Sequence, residues 1–492
     1  MTLYTKVVRV IKKILTSLQE NTKQLKESFN DTTDFRVRKL KIGSSRSRMV
    51  HLIYLDGAVN KDSLQENVIT PLLDSTKETI TKYSLIEDVS ENIIKIAEVF
   101  VVKEYKELTD AIVNGGTVIL FEGIELGIIA GTTQFKERSI EQVTSERSPR
   151  GSRVGLTENL NTNISLLRGM VKTPSFCVES MKVGTLSDTE ISILYIKKVV
   201  DQNVLAEVRK RIDKISVNYV LESMTIKEAI EGGSVALFAM YEDSERPDIV
   251  VSSLYEGKVV VIVDGNPYAI ILPGLFISMF QAPDEYNQKY GRLMNRILRF
   301  IGFLLTIYIP SIYVVLANFY ADGYPDKVTK SLLTNDELLP AFWTMLILIG
   351  LITILIDVTF RVPQSTIILI SLFATIAIGE TAVTAKIIHP TSLIIIAIAF
   401  LSGFLIINKQ LGAAIATLRL SFLIVGNYFG SSGMIIVTTL LIIYMANLRS
   451  AGVPFLSPLL PFKLEELKDT LYRGKLEKLN NSKHSFPNDN DS

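Results

Sequence analysis

The chain has 492 residues, of which 48% are hydrophobic, and a formal net charge of +1. Because positive and negative charges nearly balance, no global field attracts nucleic acid, and we expect no nucleic-acid partner. A single cysteine, Cys177, excludes an internal disulfide framework, and three scattered histidines offer no ligand set for a zinc cluster, so we expect neither a metal nor a cofactor.

Charged residues are distributed unevenly along the chain. Residues 1–299 hold 78 of the 103 Asp, Glu, Lys and Arg residues, residues 300–448 hold 12, and the remainder hold 13. This distribution predicts a soluble N-terminal half, a helical membrane domain over residues 291–448 and a cytoplasmic C-terminal tail over residues 449–492. Residues 1–40 are interpreted as a basic N-terminal arm. They lack the continuous apolar core of a signal peptide, so the soluble half is expected to stay in the cytoplasm.

The soluble half contains an internal repeat with an offset of about 141 residues. Tyr54 corresponds to Tyr195, and each lies in an apolar run that is followed by a helical pattern. We predict a two-lobed α/β cytoplasmic domain with a duplicated lobe, the first copy over residues 41–145 and the second over residues 171–290. The seam between the lobes is either a ligand cleft or an assembly surface.

Each copy contains a predicted β-hairpin. The apolar runs 115–123 and 257–265 both end in an acidic residue followed by glycine, and another apolar run follows. Glycine at that place predicts a turn with positive φ. We interpret Asp264, and Asp56 in a similar Asp-Gly pair, as turn formers rather than catalytic groups.

Common catalytic and nucleotide-binding motifs are absent from the sequence of the soluble half. It contains no G-x-x-x-x-G-K-[ST], no G-x-G-x-x-G between a strand and a helix, no H-E-x-x-H and no G-x-S-x-G. We therefore expect that the protein is not an enzyme.

Residues 146–170 join the two lobes and are rich in Arg, Gly and Asn. Arginines at this density can grip carboxylates or phosphates bidentately. The alternative is a solvated linker that leads into a helix over residues 160–170, N-capped by Thr157. On these residues alone the linker is favoured.

Apolar stretches dominate the C-terminal half, and each is close to the ~20 residues that a helix needs to cross a bilayer. They cover residues 298–320, 340–357, 366–388, 391–407, 411–429 and 431–447. We predict about six spans, with four or five as alternatives, because two stretches are short and only Gly430 separates the last pair. Lys and Arg residues flank the first and last spans, which places both termini in the cytoplasm and requires an even number of crossings.

Polar side chains within this half are candidate functional groups, because a charge at membrane depth is costly unless it is paired or hydrated. Glu380 lies inside the third stretch and is interpreted as a pore residue, or alternatively as the partner of Lys386 or Arg419 in an interhelical pair. Asp357 lies near the end of a stretch, where snorkelling to the headgroups is more typical. The candidate pore or intramembrane residues are Glu380, Asp357, Arg419 and Asn427.

Several motifs, in order along the chain, resemble the A subunits of spore germinant receptors (GerA-type spore germination proteins). They include residues 151–160 with Thr162, Asn163 and Arg168, and further residues 54–57, 245–248, 263–265, 283–286 and 452–458. Ser152 and Val154 depart from the family signature, and Glu380 stands where the family more often has glutamine. With the resemblance, a subunit contact becomes the favoured interpretation of the 146–170 segment. Its candidate residues are Arg150, Arg153, Gly155, Thr157, Glu158, Asn163 and Arg168.

The resemblance implies a multi-pass subunit of a nutrient germinant receptor in the spore inner membrane, with both termini on the cytoplasmic, spore-core side. It implies a transporter-like B subunit and a lipoprotein C subunit as partners, with membrane lipid around the helices. It also implies a homo-oligomer, with a pentamer as the expected size, that forms a nutrient-gated ion channel and triggers germination.

Two other functions stay open at this point. A solute permease is favoured by the intramembrane charges, although the sequence has no inverted repeat and no pair of broken helices. A non-conducting receptor scaffold, whose membrane half is an anchor, is the second alternative.

Overall fold

A computed structural model describes residues 12–42, 48–75, 82–134, 146, 154–232, 236–281, 292–320, 338–359, 361–374 and 380–462. The chain forms two compact units. The first comprises Met1–Gly233, Asp243–Pro273 and Phe486–Ser492, and the second comprises Ser234–Glu242 and Gly274–Ser485.

Two five-stranded sheets form the framework of the first unit. The first sheet consists of β1 (Phe35–Ile42), β2 (Arg48–Leu55), β3 (Val99–Val102), β4 (Thr117–Phe121) and β5 (Gly127–Ala130). The second consists of β6 (Phe176–Val183), β7 (Thr189–Ile196), β8 (Glu242–Ser244), β9 (Val259–Val263) and β10 (Ala269–Leu272). The strand orders are β1-β2-β4-β5-β3 and β6-β7-β9-β10-β8, so corresponding strands occupy corresponding places.

Helices cover the sheets. They are α1 (Leu18–Ser28), α2 (Lys61–Leu64), α3 (Thr70–Asp74), α4 (Lys82–Asp88), α5 (Tyr105–Val113), α6 (Leu160–Met170), α7 (Gln202–Asp213), α8 (Ser223–Glu231) and α9 (Pro247–Tyr255), with π-helical turns at Gln65–Ile69 and Val89–Ile93. Side chains of α1 and α5 share one core with β2 and β4, and side chains of α6 and α9 share another with β6, β7 and β9. These cores bury the apolar stripe of each helix, which is the main source of helix stability in a folded domain.

The predicted hairpins are confirmed, whereas the predicted lobe boundaries are not. β4 pairs with β5 and β9 with β10 in antiparallel register, and Gly123 and Gly265 lie in their turns at φ 76° and 83°. The prediction of a basic arm over residues 1–40 is wrong for its described part, because Leu25 and Phe29 are fully buried in the first lobe and β1 begins at Phe35. Basic residues alternate irregularly with apolar ones along β1, which hid the strand pattern.

The second unit is mainly helical. Its elements are α10 (Arg292–Phe319), α11 (Ala341–Thr359), α12 (Gln364–Ala374), α13 (Ala382–Thr384), α14 (Pro390–Gly403), α15 (Leu411–Asn447), a 3-10 turn at Ser278–Phe280 and the two-residue strands β11 (Arg449–Ser450) and β12 (Val453–Pro454). Among the described residues, three segments are long and apolar enough to cross a membrane: Met294–Phe319, Ala341–Thr359 and Leu411–Asn447. α14 is apolar but shorter.

The third predicted span, over residues 366–388, is not one described helix. α12 is described as far as Ala374, and residues 375–379 lie outside the described residues. Beyond them α13 has three residues, and Lys386 adopts φ 54°, a left-handed conformation that ends a helix. The predicted fifth and sixth spans both lie in α15, where Gly430 interrupts the helix with φ 62° and ψ −151°. The two parts of α15 are roughly 28 and 26 Å long at 1.5 Å per residue.

The start of the predicted C-terminal tail contributes to an aromatic cluster in the second unit. Phe455 is fully buried, and its ring centroid lies 5.8 Å from that of Phe238 and 6.0 Å from that of Phe276. The Phe276 ring in turn lies 5.1 Å from that of Phe280 and 5.8 Å from that of Phe303. Residues 449–456 of the predicted tail over residues 449–492 pack inside the second unit, because Phe455 and Leu456 join its core, and the cytoplasmic location of this segment stays a prediction.

Candidate functional site

The segment predicted to contact another subunit begins the second lobe. Asn159 is the N-cap of α6, and its Oδ1 accepts a hydrogen bond from Thr162 N at 2.9 Å. The prediction of Thr157 as the N-cap is wrong. Thr157 N donates to Asn163 Oδ1 at 2.8 Å, and Asn163 Nδ2 donates to Thr157 O at 2.6 Å. The buried amide of Asn163 thus holds the segment that precedes α6 against the first turn of that helix.

The first lobe contains the same arrangement at the start of α1. Leu15 N donates to Asn21 Oδ1 at 3.0 Å, and Asn21 Nδ2 donates to Leu15 O at 2.6 Å. We call this pairing, Asn21 with Leu15 and Asn163 with Thr157, the asparagine clamp. A buried amide must find partners for both its oxygen and its nitrogen, and the clamp provides both from the backbone of one residue.

In each lobe the acidic residue of the hairpin turn accepts a hydrogen bond from the first residue of the helix that carries the asparagine clamp. Leu18 N donates to Glu122 Oε2 at 3.3 Å, and Leu160 N donates to Asp264 Oδ1 at 3.1 Å. A carboxylate at a helix N-terminus satisfies an orphan amide and is favoured by the helix dipole. The interpretation of Asp264 as a structural rather than catalytic residue agrees with this contact.

Arg168 joins the two lobes inside the chain. Its side chain is only 2% exposed, and its Nε and Nη2 donate to Asp34 Oδ2 and Oδ1, both at 2.8 Å. Nη1 donates to Phe176 O at 2.8 Å, and the guanidinium lies 4.5 Å from the centroid of the Phe176 ring. Nη2 also donates to Thr32 Oγ1 at 3.3 Å. We call Thr32, Asp34, Arg168 and Phe176 the Arg168 cluster.

The loop that carries Asp34 also covers the outer edge of the second sheet. Thr33 N donates to Val178 O and Val178 N donates to Thr32 Oγ1, both at 2.9 Å. These bonds pair backbone groups of β6 that would otherwise face solvent at an edge. Together with the Arg168 cluster they fasten the first lobe to the second.

The predicted subunit-contact residues therefore have different surroundings. Asn163, Arg168 and Gly155 are buried within the chain, where Asn163 contacts Thr157 of the same lobe and Arg168 contacts Asp34 of the first lobe. Glu158 is exposed, and for this residue the subunit contact stays a prediction. Arg150 and Arg153 lie outside the described residues.

A carboxyl group that the sequence did not single out lies beside the motif at residues 245–248. Ser244 Oγ donates to Glu146 Oε2 at 2.6 Å, and Glu146 N donates to Glu245 Oε1 at 2.9 Å. Burial raises the pKa of Glu146 to about 7, and the negative charges of Asp243 and Glu245 act in the same direction, while the Ser244 hydrogen bond opposes them. Glu146 can therefore exchange a proton near neutral pH.

Arg419 is the most deeply placed charge of the described membrane helices. It is 6% exposed, its Nε donates to Thr306 O at 2.9 Å, and its Nη2 donates to Thr306 Oγ1 at 2.6 Å. Its guanidinium lies 4.2 Å from the centroid of the Phe400 ring. α10, α14 and α15 thus meet at one arginine.

Pro310 explains why a backbone oxygen is available to Arg419. Proline has no N–H, so it leaves the carbonyl of the residue four positions earlier without its helical partner, and that residue is Thr306. In a membrane an unpaired carbonyl is costly, and neighbouring helices supply the missing donor. We call Thr306, Pro310 and Arg419 the proline lock.

Asn427 belongs to a second polar group, which surrounds the break at Gly430. Asn318 Nδ2 donates to Asn427 Oδ1 at 2.8 Å, and the hydroxyls of Tyr320 and Ser431 share a hydrogen bond of 2.9 Å. These bonds bring the end of α10 to both sides of the interruption in α15.

The other two predicted intramembrane residues are exposed. Asp357, near the end of α11, forms an ion pair at 3.2 Å with Arg361, four residues further along the chain. Glu380 is exposed at the start of the short α13 turn, and among the described residues it makes an ion pair with neither Lys386 nor Arg419. Arg419, one of the two partners considered for Glu380, donates instead to Thr306.

The sequence is similar to a family of known proteins over most of its length. Residues 23–485 match the family model described as Bacillus/Clostridium GerA spore germination protein. The chain belongs to this family. Spore germination protein KA of Bacillus subtilis (strain 168) is 31% identical over 460 residues, which cover 93% of this chain and 84% of that protein. Spore germination protein GerLA of Bacillus cereus is 28% identical over 461 residues, 93% of each chain.

A solved structure also resembles part of this GerA-family chain. The crystal structure of the N-terminal domain of the A subunit of the Bacillus megaterium spore germinant receptor GerK3 aligns with a TM-score of 0.44 and 27% identity, covering 55% of this chain and 99% of that one. The family resemblance inferred from the motifs is confirmed by the match over residues 23–485.

Sequence reasoning missed the partners of the predicted residues in this GerA-family protein. Asp34, Thr306 and Asn318 lie 134, 113 and 109 residues from Arg168, Arg419 and Asn427. Only Pro310 gave a local signal, because a proline inside an apolar stretch marks a carbonyl without a partner.

Proposed function

We propose that this GerA-family protein is the A-type subunit of a nutrient germinant receptor in the spore inner membrane, where it forms an oligomeric, nutrient-gated ion channel that triggers germination. The observation that carries the proposal is the family match over residues 23–485, with relatives named as spore germination proteins. A transporter-like B subunit and a lipoprotein C subunit are its proposed partners, and a pentamer is the proposed assembly. The protein is proposed to catalyse no reaction.

The proposed topology has six crossings, with both termini on the spore-core side. The break at Gly430 supports it, because a helix of 37 residues would extend about 55 Å if straight, well beyond a ~30 Å hydrocarbon core. Two spans that meet at Gly430 match the bilayer better. The second unit would then contribute an even number of helices.

The two lobes are proposed to be copies of one ancestral unit. Their identical strand orders support this, and so does the asparagine clamp, which recurs at Asn21 and Asn163 with the same donors and acceptors. A chain with two like lobes fastened by the Arg168 cluster can move as one body. Such a body is suited to transmit a conformational change in a partner subunit to the membrane helices.

Gating is proposed to be a shift between closed and open arrangements of the helices. Nutrient binding on a partner can shift such an equilibrium only by binding one state more tightly. The polar group at Gly430 is the proposed moving part, because its hydrogen bonds tie α10 to both halves of α15.

Reconstitution with the B and C subunits in planar bilayers tests the channel. Nutrient should raise the conductance above that of the empty membrane, and Asn427→Leu should alter its gating because Asn318 loses its acceptor. Thr439→Val, at an exposed hydroxyl that donates to Ile435 O of its own helix, is the matched control and should conduct normally. The channel function would be refuted if repeated reconstitutions showed no nutrient-dependent conductance. Tracer uptake by this chain alone would favour a permease instead, and a germination response unchanged by Glu380→Gln and Asn427→Leu would favour a scaffold.

A further inference from the structure

The β1–β2 hairpin carries a long basic run. From Arg36 to Leu55 the sequence has six Lys or Arg residues and no Asp or Glu. β1 is an edge strand of the first sheet, and Arg38, Lys39 and Lys41 are exposed on it. Cations thus line one outer edge of the soluble unit on both faces of the strand.

Most of these cations are not neutralised within the described residues. Arg36 pairs with Asp56 at 3.3 Å, whereas Arg38, Lys39 and Lys41 form no ion pair there. The hairpin also influences a titratable neighbour, because burial and then the charge of Lys39 lower the pKa of His51. A positive potential therefore extends from the hairpin into solvent.

The corresponding hairpin of the second lobe shows that the fold does not require this charge. β6 and β7 pair over eight positions, as β1 and β2 do, but residues 177–196 hold three acids and one lysine, a net charge of −2. Two of those acids are neutralised within the chain, Glu179 by Arg209 and Asp188 by Lys182. A second copy of the chain would therefore find little free negative charge there to bind the basic hairpin.

We propose that the β1–β2 hairpin docks on anionic lipid headgroups at the surface of the membrane that holds the helices. The chain's own membrane helices keep a bilayer within reach at all times, which raises the effective concentration of that surface above that of any soluble partner. Basic clusters of this size bind anionic leaflets, and the attraction falls within a Debye length. The inference depends on membrane insertion and not on ion conduction.

Lysine footprinting of the full chain tests the docking. The protein is placed in nanodiscs of phosphatidylcholine, with or without about 30% phosphatidylglycerol, and amine labelling is followed by mass spectrometry. Labelling of Lys39 and Lys41 should slow at least about fivefold in the anionic discs, and salt of about 0.5 M should restore the rate. Lys197 and Lys198, which are exposed on the second lobe, should label equally in both.

Paired variants separate docking from other causes. Arg38→Gln with Arg48→Gln keeps both reporter lysines and should remove most of the slowing, whereas Lys210→Gln with Lys214→Gln removes the same charge elsewhere and should keep it. Inorganic phosphate added to neutral discs should not reproduce the slowing. Equal labelling in the two kinds of disc overturns the proposal, and so does protection that requires added RNA. If the arginine variant self-associates while labelling is still slower in the anionic discs, the proposal is also overturned. The charges would then serve to prevent β1 from pairing with the exposed strand of another molecule.

Discussion

Arg168 places a full positive charge in the protein interior, and its contribution to stability depends on the ion pair with Asp34. Both side chains are nearly inaccessible, and the pair is bidentate. Arg168→Ala should lower the free energy of unfolding by about 3–5 kcal/mol, because the Asp34 carboxylate would stay buried without a partner. Thermal or urea unfolding of the purified chain in detergent measures the change.

A double substitution provides the control for this prediction. Arg168→Met with Asp34→Leu removes both charges and should cost clearly less than Arg168→Ala, because no ion is left unpaired. Arg168→Lys should fall between them, since it keeps the charge and loses the planar fork. If the loss in free energy of unfolding of the double variant equalled the sum of the losses of the two single variants, the pairing would be contradicted.

Glu146 makes stability depend on pH. Its pKa in the folded chain is about 7, above its ordinary value of 4.5, so the folded state holds the proton more tightly than the unfolded state. The stabilisation is complete below pH 4.5 and is lost as the pH rises towards 7, by at most roughly 3 kcal/mol. Glu146→Gln should flatten this part of the profile and be relatively more stable at pH 8. Unfolding temperatures at pH 5, 6, 7 and 8 test it, and parallel profiles for variant and parent would contradict it.

At the scale of elements, α10 and α15 are joined by the proline lock. Arg419→Gln should lower stability by about 2–3 kcal/mol, because the Thr306 carbonyl loses a charged donor inside the helical bundle. Adding Pro310→Ala should recover part of the loss, since the new N–H can serve that carbonyl. A double-mutant cycle in detergent measures the coupling, and independent, additive costs would show that Pro310 does not create the site for Arg419.

The element scale also shows where sequence patterns succeed and fail. The hairpins at residues 115–123 and 257–265 were predictable, because buried strands are continuous apolar runs and their turns need glycine. β1 was not, because Arg36, Arg38 and Lys41 break the alternation at an exposed edge. The bounds of α6 were predicted correctly, but it was assigned to the 146–170 linker rather than to the second lobe, since the contacts that hold its polar N-terminal residues are revealed only by the fold. Membrane helices were predictable where apolar runs are long, and least so around Glu380.

At the scale of the whole molecule, an even number of crossings places both termini on one side. Tags fused to the N- and C-termini should both resist protease added outside intact cells or right-side-out vesicles, and both should be cut after permeabilisation. A tag inserted within residues 321–339, a predicted external loop, should be cut in both cases. Cleavage of one terminal tag alone in intact vesicles would require an odd number of crossings.

Family membership was predictable from motifs spread over the chain, and one of them contains a residue with a clear structural role. The 245–248 motif contains Arg246, which is fully buried and bidentate with Asp248, at 3.0 and 2.7 Å. The sequence could not reveal the partners that lie more than 100 residues away, and these partners decide whether a polar residue is structural or functional.

The aromatic cluster links the fold to the order of protein synthesis. Phe238, Phe276 and Phe303 are made before most of the membrane helices, whereas Phe455 follows all of them. Chains emerge from the ribosome N-terminus first, so the earlier rings wait for a partner until the last helix has been made. A chain that ends before residue 449 would keep an uncovered aromatic surface. Burial of these rings therefore depends on residues 449–456 and is completed only late in synthesis.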